Sequence, residues 1–270
     1  MVTRTAWYIV PWHYGNIMLL LILLLNLGAC SGEHLTELMK AARDGNIEAV
    51  KRAIDGGADV NYRTEKGKTA LMVAASNGHI DTVKLLLDFG AEIDQQDNFG
   101  TTAIIVAATA AKTETAELLA QQGADPTYKD SSGGSALSNA SFFGHTTTVK
   151  ALLKYADKLP QRDAEELMMI ACGLGHVELV KALLKHGISP NARGIKQRTA
   201  IMAAAAFDKQ EVAKLLLNNG ADATLRDDDG FNAFDIAQEN DNQEIYALLS
   251  DFYRTKDTGS RRGEKNSDNK

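Results

Sequence analysis

Cysteine is scarce in this sequence. Only Cys30 and Cys172 occur among 270 residues, so a small fold held together by several disulfide bonds is excluded. Cys172 lies in a run of small and apolar residues, where a helix in a protein core would place it. We therefore expect a buried, unreactive thiol at Cys172.

Positive charge is lacking over most of the chain. The formal net charge is −6, and residues 254–270 contribute +3 to it while residues 1–29 contribute +1. Residues 30–253 therefore carry −10. Nucleic-acid binding requires a positive face, so this balance excludes nucleic acid as a main partner. The tail, residues 254–270, is charged and almost free of apolar residues, which predicts a disordered segment.

Catalytic motifs are also absent from the sequence. It contains no glycine-rich phosphate loop, no Gly-x-Ser-x-Gly turn and no His-Glu-x-x-His pair. His79, His145 and His176 each follow a glycine at the same place in a repeated unit, so they do not converge on one site. We expect each of them to bond to nearby backbone. No catalytic residue, cofactor or metal ligand is predicted, and we expect no enzymatic activity.

The unit that the chain repeats runs from Gly67 to Phe99. Thr69 is a residue type that caps helix N-termini, and Ala70 to Asn77 is a short apolar segment suited to a helix. Gly78 then supplies a left-handed C-cap. A second helix is predicted from an apolar stripe at helical spacing and a terminal glycine, namely Val83, Leu86, Leu87 and Gly90.

This unit recurs at a constant interval along the chain. Glycine, alanine and leucine are held in register together, at Gly67, Gly100 and Gly133, at Ala74, Ala107 and Ala140, and at Leu86, Leu119 and Leu152. One helical hairpin is too small to bury its own apolar stripe, so the hairpins must stack on one another.

These motifs resemble the ankyrin-repeat family, whose pattern combines Gly-x-Thr-Pro-Leu-His with Ala-Ala, Gly-His, Leu-Leu and Gly-Ala-Asp. The resemblance covers residues 34–253. It implies an all-α repeat solenoid in which each repeat has a helix-turn-helix and a β-hairpin or finger loop. We count seven repeats: a capping repeat within residues 30–66, five repeats within residues 67–229 and a capping repeat at residues 230–253. Alanine replaces the family's proline, so we expect lower stability.

The regular interval is broken once. The step from Ala140 to the equivalent Ala171 is two residues shorter than the step from Ala107 to Ala140, and the finger between them lacks its glycine and threonine. Asp163 and Glu166 form a capping-box pattern that predicts a substitute helix start. The residues near 156–165 are therefore expected to form a shortened or distorted finger with a local change of curvature. A neutral deletion in a surface loop is the alternative.

The N-terminal segment carries a different signal. An apolar run, Ile17 to Leu25, is followed by Leu27-Gly28-Ala29-Cys30, which resembles a bacterial lipobox. An apolar run of about ten residues is too short to span ~30 Å of hydrocarbon, which favours a cleaved signal peptide at residues 1–29 over an uncleaved anchor. Lipidation of Cys30 would leave Cys172 without a disulfide partner. Ser31 favours an outer-membrane lipoprotein that faces the periplasm, with the periplasmic side of the inner membrane as the alternative.

The family resemblance also implies where a protein partner binds. In ankyrin arrays the partner usually contacts the finger tips and the exposed ends of the first helices on the concave side. The equivalent positions here are Arg63, Lys66, Lys68, Asn98, Phe99, Thr101, Phe142, Phe143, Arg193, Lys196, Arg198 and Phe207. Exposed aromatic rings are favoured at interface centres, so we expect Phe99, Phe142 and Phe143 to form one apolar spot. Packing in the core is the alternative for Phe142 and Phe143.

The sequence therefore predicts a monomeric, non-enzymatic and lipid-anchored module that binds a protein partner at the membrane. Two roles remain open. The protein is either an immunity protein that inhibits a periplasmic toxin or an accessory scaffold that protects a periplasmic enzyme.

Overall fold

The computed structural model describes residues 35–156 and 159–264, with side chains described as far as Arg254. The predicted signal peptide, Cys30 and residues 265–270 lie outside the described residues. The chain divides into two compact units, one before and one after residue 158. We call their described parts unit 1 (residues 35–156) and unit 2 (residues 159–264).

Unit 1 consists of four helical hairpins. Its helices are α1 (Glu37–Asp44), α2 (Ile47–Asp55), α3 (Ala70–Asn77), α4 (Ile80–Asp88), α5 (Ala103–Thr109), α6 (Thr113–Gln121), α7 (Ala136–Phe142) and α8 (Thr146–Leu153). The first helices α1, α3, α5 and α7 pack side by side, and so do the second helices α2, α4, α6 and α8. This arrangement confirms a stack of repeats in which each hairpin covers the apolar face of its neighbour.

Unit 2 consists of three more hairpins. Its helices are α9 (Gln161–Leu174), α10 (Val177–Lys185), α11 (Ala200–Ala206), α12 (Gln210–Asn218), α13 (Ala233–Glu239) and α14 (Gln243–Glu264). The same two layers form, because α11 packs between α9 and α13 while α12 contacts both α10 and α14. Together the described residues of the two units contain fourteen α-helices and the seven hairpins that the sequence predicted.

Small first helices and leucine-rich second helices fill the core. In the second repeat Ala74 and Ala75 are fully buried on α3, and Val83 and Leu86 are fully buried on α4. The predicted cap is confirmed, since the Met72 N–H donates to Thr69 Oγ1 at 3.2 Å. Such caps satisfy backbone donors that the first turn of a helix leaves free.

The corner after each first helix explains the recurring histidines. His79 Nε2 donates to the carbonyl oxygen of Arg43 at 2.8 Å, and His145 Nε2 donates to that of Thr109 at 3.2 Å. Each imidazole therefore bonds to the end of the preceding repeat's first helix. Gly45 at this corner has a φ of +67°, and a Cβ added there would lie 2.7 Å from His79 Nδ1. The two histidines are structural, as predicted, but they link neighbouring repeats.

Three local features differ from the sequence predictions. The first concerns the fingers, which are single turns, because no β-strand occurs in residues 35–156 and 159–264. One isolated antiparallel bridge joins Arg193 and Thr199. Each finger is closed by a backbone bond such as that from the Asp97 N–H to the Thr101 carbonyl oxygen at 2.9 Å. So short a turn between the paired positions leaves no room for a ladder of strand bonds.

The second concerns the start of α9. Asp163 and Glu166 do not begin this helix, which starts at Gln161 with Pro160 as its N-cap. The Pro160 carbonyl oxygen accepts from the N–H groups of Asp163 and Ala164, at 2.9 and 3.0 Å. Proline has a fixed φ and no N–H to satisfy, so a helix begins readily beside it. The helix thus occupies 161–165, where we predicted a distorted finger. Residues 157 and 158 lie outside the described residues, and the predicted change of curvature stays a prediction.

The third concerns the predicted disordered tail. Helix α14 continues through residues 254–264, so the prediction of disorder was wrong for this part of the tail. Extending an existing helix requires no new nucleation, and Arg and Lys have good helix propensity. The ion pair between Arg254 and Asp251, at 2.8 Å, lies one helical turn apart on α14. Low apolar content alone is therefore a poor guide to the end of a capping helix.

Candidate functional site

Aspartate side chains shape most of the fingers. Asp97 Oδ1 accepts from the N–H groups of Phe99 and Thr101, both at 2.8 Å. Asp130 Oδ1 accepts in the same way from the Ser132 and Gly134 N–H groups, both at 2.9 Å. These bonds fix the turn from inside, because the carboxylate reaches residues two and four positions ahead. The tip residues are then held in one conformation.

The finger tips of unit 1 are also bonded to one another. The Asn98 N–H donates to the Lys66 carbonyl oxygen at 3.0 Å, and the Ser131 N–H donates to the Phe99 carbonyl oxygen at 2.9 Å. Asn98 Nδ2 adds a bond to the Glu65 carbonyl oxygen at 2.8 Å. Three successive fingers therefore form one continuous row, which we call the finger edge of unit 1 (residues 63–68, 97–101 and 130–134).

The predicted binding residues of the finger edge differ in what they offer. Phe99 is 47% exposed, and Lys66 and Arg63 are exposed. Arg63 Nη2 reaches Asn98 Oδ1 at 3.4 Å. Asn98 belongs mainly to the bonds between fingers. Lys68 and Thr101 are half-buried at the finger bases. Among these residues the aromatic ring of Phe99 and the neighbouring cations are the groups presented outward.

Phe142 and Phe143 are only partly available. Their rings meet edge to face with centroids 5.1 Å apart, and Phe143 stacks on His145 at 5.8 Å. Both rings are half-buried. They pack against each other at the end of α7 and remain partly exposed. Each ring is therefore partly packed, which was one alternative, and partly available to a partner, which was the other. Edge-to-face pairs of this kind stabilise a fold beyond simple burial.

The basic residues of the finger in unit 2 have a structural role. Lys196 Nζ lies 3.0 Å from Asp229 Oδ2, and the Arg198 guanidinium lies 3.5 Å from both Asp227 and Asp229. Arg193 Nη1 donates to the carbonyl oxygen of Arg226, in the next finger, at 3.3 Å. The Arg198 side chain is only 17% exposed. We predicted partner contacts for Arg193, Lys196 and Arg198, and the structure uses them to join two fingers.

Two exposed apolar residues stand near this finger. Ile195, at the tip, is 72% exposed and was not predicted. Phe207 is 36% exposed, as expected for a binding candidate. Its ring lies over Gly173 of the preceding repeat, where an added Cβ would be 3.6 Å from the ring. The signal for Ile195 was present in the sequence, since an isoleucine at a finger tip has no core to enter.

The sequence reasoning also missed the finger aspartates. Asp97 and Asp130 occupy the same position in successive repeats, and Asp227 occupies the position that Gly194 has one repeat earlier. Asp227 Oδ1 accepts from the N–H groups of Asp229 and Phe231. The repeated spacing of these aspartates is visible in the sequence, but their position lies outside the ankyrin motif from which the binding residues were predicted. These aspartates keep the tips in place.

Burial shifts the pKa of some titratable groups among the described residues. Burial raises the pKa of the Cys172 thiol well above its usual range, so this cysteine is inert. Burial and the nearby Asp125 raise the pKa of Asp94. Among residues 35–156 and 159–264 no cluster of His, Cys, Asp or Glu could hold a metal ion. In the same residues no helix is long and apolar enough to cross a membrane.

Comparison with known protein families agrees with the repeat architecture. A family model described as "Ankyrin repeats (3 copies)" matches five overlapping segments of the chain, at residues 13–97, 38–130, 77–163, 128–194 and 167–259. These segments cover most of the sequence, both units included.

Individual relatives share this feature over part of their length. The ankyrin repeat and KH domain-containing protein mask-1 of Caenorhabditis elegans is 34% identical over 98 residues, which are 36% of this chain and 4% of that protein. The ankyrin repeat and SAM domain-containing protein 6 of Mus musculus is 37% identical over 75 residues, or 27% of this chain and 8% of that protein. The chain therefore spans less than a tenth of either relative.

A solved structure gives the same result. The crystal structure of the human ASB11 ankyrin repeat domain has a TM-score of 0.67 and 26% identity, and the similarity covers 76% of this chain and 96% of that one. The hairpin stack, the finger edge and the family match lead to one conclusion. The chain belongs to the ankyrin-repeat family and is a protein–protein interaction module.

Proposed function

We propose that this protein is a lipid-anchored module of the bacterial envelope that binds a protein partner through the finger edge of unit 1. Phe99 is the observation that carries the proposal. Its ring is 47% exposed, and backbone bonds from the adjacent Asn98 N–H and to its own carbonyl oxygen fix its position. A rigid aromatic group with cations beside it is typical of an interface hot spot, because little conformational entropy is lost on binding.

The proposed location rests on the N-terminal sequence alone. Leu27-Gly28-Ala29-Cys30 after a short apolar run supports lipidation at Cys30 and an outer-membrane position facing the periplasm. Several acyl chains would hold a protein at a membrane, since each buried CH₂ contributes about 0.8 kcal/mol. We propose a monomer in which the repeats extend from this anchor toward the partner.

The binding test compares Phe99→Ala with the wild-type chain. Both are used to capture proteins from envelope fractions, and the retained protein is identified. We expect Phe99→Ala to lose the partner while its thermal unfolding stays unchanged, because an exposed side chain contributes little to stability. Tyr246→Ala, which removes a 38% exposed aromatic ring of unit 2 that packs edge to face on Phe234 at 5.9 Å, is the control for loss of a ring and should retain the partner.

Phe142→Ala gives a contrasting expectation. Its ring is half-buried against Phe143, so the substitution should cost about 1 to 3 kcal/mol of unfolding free energy. Equal partner loss in Phe99→Ala and Tyr246→Ala, or a large loss of stability in Phe99→Ala, contradicts the proposed binding surface.

Two roles for the partner complex are distinguished by deleting the gene. If the protein is an immunity protein, the deletion strain is killed by sibling cells that carry the toxin. If it is an accessory scaffold, the deletion lowers the activity of a periplasmic enzyme without killing. Both outcomes use the same finger edge, so the Phe99→Ala variant should reproduce whichever phenotype the deletion shows.

A further inference from the structure

Unit 1 has a second ordered edge, whose segments directly precede the fingers in sequence. It is formed by three segments that contain the last turn of a second helix and the loop after it, residues 53–62, 86–95 and 119–128, and we call it the loop edge. Asn61 connects the first two segments, because its Nδ2 donates to the Gly90 carbonyl oxygen at 3.0 Å and its Oδ1 accepts from the Glu92 N–H at 2.8 Å. The three segments share one turn, in which an N–H donates to the carbonyl oxygen three residues earlier.

Exposed aromatic rings recur along the loop edge. Tyr62 is 46% exposed, Phe89 41% and Tyr128 37%. Tyr62 and Tyr128 occupy the same repeat position two repeats apart, and each ends the shared turn. Phe89 caps α4, and the equivalent Tyr155, after α8, is 37% exposed. Four exposed rings thus recur at two repeated positions, and recurring exposed apolar surface is typical of interaction sites.

The charge of the loop edge has one sign. The three segments contain no Lys, Arg or His, and their carboxylates are all exposed, namely Asp55, Asp59, Asp88, Glu92, Asp94 and Asp125. Cations also flank these segments, since Arg63 directly follows Tyr62 and reaches Asn98 Oδ1 at 3.4 Å, and Lys129 directly follows Tyr128. Lys154 bonds Glu117 at 2.8 Å, and Arg52 Nε bonds the Glu48 carbonyl oxygen at 3.3 Å. Partial burial and the nearby Asp125 raise the pKa of Asp94, as expected where two carboxylates lie near each other.

The equivalent segments of unit 2 lack this combination. Residues 183–192 contain Lys185 and His186 and no carboxylate, and residues 216–225 contain only Asp222. Asp222 Oδ1 accepts from Thr224 Oγ1, as Asp125 Oδ1 does from Thr127 Oγ1, and it also accepts from the Tyr253 hydroxyl. Neither segment of unit 2 has an aromatic residue. The repeat fold therefore does not require rings and carboxylates at these positions.

We propose that the loop edge of unit 1 binds an extended Lys- and Arg-rich segment of a protein. The cationic side chains lie on the faces of Tyr62, Phe89 and Tyr128 and pair with the carboxylates beside them. Carboxylates alone would attract any cation, whereas aromatic rings favour organic cations through cation–π contacts and packing of the aliphatic stems. The loop edge directly precedes the finger edge in sequence, but the proposal does not depend on the function proposed for the finger edge.

The test titrates the whole chain into a labelled peptide and measures binding by the fluorescence anisotropy of the peptide. The probe is a nine-residue peptide in which Arg and Lys alternate with Ser, and its counterpart carries Glu in place of every Arg and Lys. We expect saturable binding of the basic peptide alone, weakened about tenfold when screening salt is raised from low to high concentration.

Two sets of variants separate the contributions. Tyr62→Ala with Tyr128→Ala should weaken binding of the basic peptide by about fivefold, the size expected for a lost cation–π contact, and Tyr62→Phe with Tyr128→Phe should restore it. Asp88→Asn with Glu92→Gln should weaken binding and flatten its salt dependence. Tyr246→Ala with Asp251→Asn, which changes an exposed ring and an exposed carboxylate of unit 2, should have no effect.

Three outcomes overturn the proposal. Equal binding of the acidic and basic peptides shows a nonspecific surface. Circular dichroism must show that the Tyr62 and Tyr128 alanine variants are folded. If they then bind the basic peptide as well as the wild type does, the rings contribute nothing and the carboxylates merely attract any cation. Equal weakening by the unit 2 variants places the binding elsewhere.

Discussion

The fingers of unit 1 and the finger at residues 194–198 of unit 2 close the same turn by different means. In unit 1, Asp97 bonds two backbone N–H groups, and Gly100 takes the left-handed position with a φ of +75°. In unit 2, Gly194 replaces the aspartate and Gln197 replaces the glycine. The turn there is a short 3₁₀ helix in which Lys196 and Gln197 both have a φ of +57°.

This difference explains which side chains remain for a partner. Where Asp97 closes the turn, the Phe99 side chain is not needed to hold the finger and is presented outward. Where the aspartate is missing, Lys196 and Arg198 hold the finger through ion pairs to the next one. The same residue type at the same repeat position therefore has different roles in the two units. Two predictions test this comparison, and a third tests the link between successive loops.

The largest effect is expected from removing a finger aspartate. Asp227 has a fully buried side chain, accepts two backbone bonds and lies 3.5 Å from Arg198. Asp227→Ala should cost about 2 to 4 kcal/mol of unfolding free energy. The N–H groups of Asp229 and Phe231 lose their acceptor, and the largely buried Arg198 loses this carboxylate. Asp97→Ala, in a more exposed finger, should cost about 1 to 2 kcal/mol. Urea unfolding of the full chain measures both.

The Asn variants at these positions serve as controls for the aspartate prediction. Asp97→Asn keeps an acceptor oxygen for the turn and should be nearly neutral, whereas Asp227→Asn should be costly because Arg198 loses a negative partner. If both alanine variants lower the unfolding free energy equally, then Asp227 contributes nothing extra by joining two fingers, and this prediction is wrong.

An intermediate effect is expected at the left-handed position of the turn. Gly100→Gln should cost about 1 to 2 kcal/mol, because a side chain is strained at this φ. An added Cβ would also lie 3.0 Å from the Ser131 backbone nitrogen. Gln197→Gly should stabilise by about 0.5 kcal/mol, since relief of strain is partly offset by the greater freedom of glycine in the unfolded chain. The thermal unfolding temperature should fall in Gly100→Gln and rise in Gln197→Gly. A shift in the same direction in both variants refutes this explanation.

The smallest effect concerns the link between successive loops. Asn61 and Asn191 each bond the backbone of the next repeat with both amide atoms. Asp94 takes the place of Asn61 in the next repeat and, as a carboxylate, has no N–H to donate. Asp94→Asn should therefore stabilise the fold by about 0.5 to 1 kcal/mol.

The gain from Asp94→Asn should depend on pH. The pKa of Asp94 is raised in the folded state by burial and by Asp125, so the ionised carboxylate destabilises the fold. The advantage of the amide should be greatest at neutral pH and shrink as the pH falls through the pKa of Asp94. Asp88→Asn, at an exposed carboxylate, controls for the change in net charge. A gain from Asp94→Asn that grows toward acid pH contradicts the assignment.

The sequence allowed the helices to be predicted because their signals are local. Thr69, the alanines of α3 and Gly78 lie within one hairpin, and their spacing is repeated. The start of α9 was misplaced because Asp163 matched a capping pattern while Pro160, three residues earlier, determined the actual start. Both signals are local, and the sequence alone did not show which of them determines the start of the helix.

The roles of the finger residues were harder to predict because their contacts come from another repeat. Arg198 resembles Lys68 in sequence position, but it is buried by aspartates that belong to the next repeat along the chain. Asn98 was likewise predicted to bind a partner, and it bonds to the preceding finger. Exposure of a finger residue depends on its neighbours in the stack, which a single-repeat pattern does not describe.

The central claim is that a protein partner lies on the finger edge of unit 1, and site-specific crosslinking in intact cells tests it most directly. A photoreactive phenylalanine analogue is placed at Phe99 or, as a control, at Glu114, an exposed position on the second helix α6. We predict one discrete protein adduct from position 99 and none from position 114. Adducts of equal yield from both positions, or none from position 99, would contradict the claim.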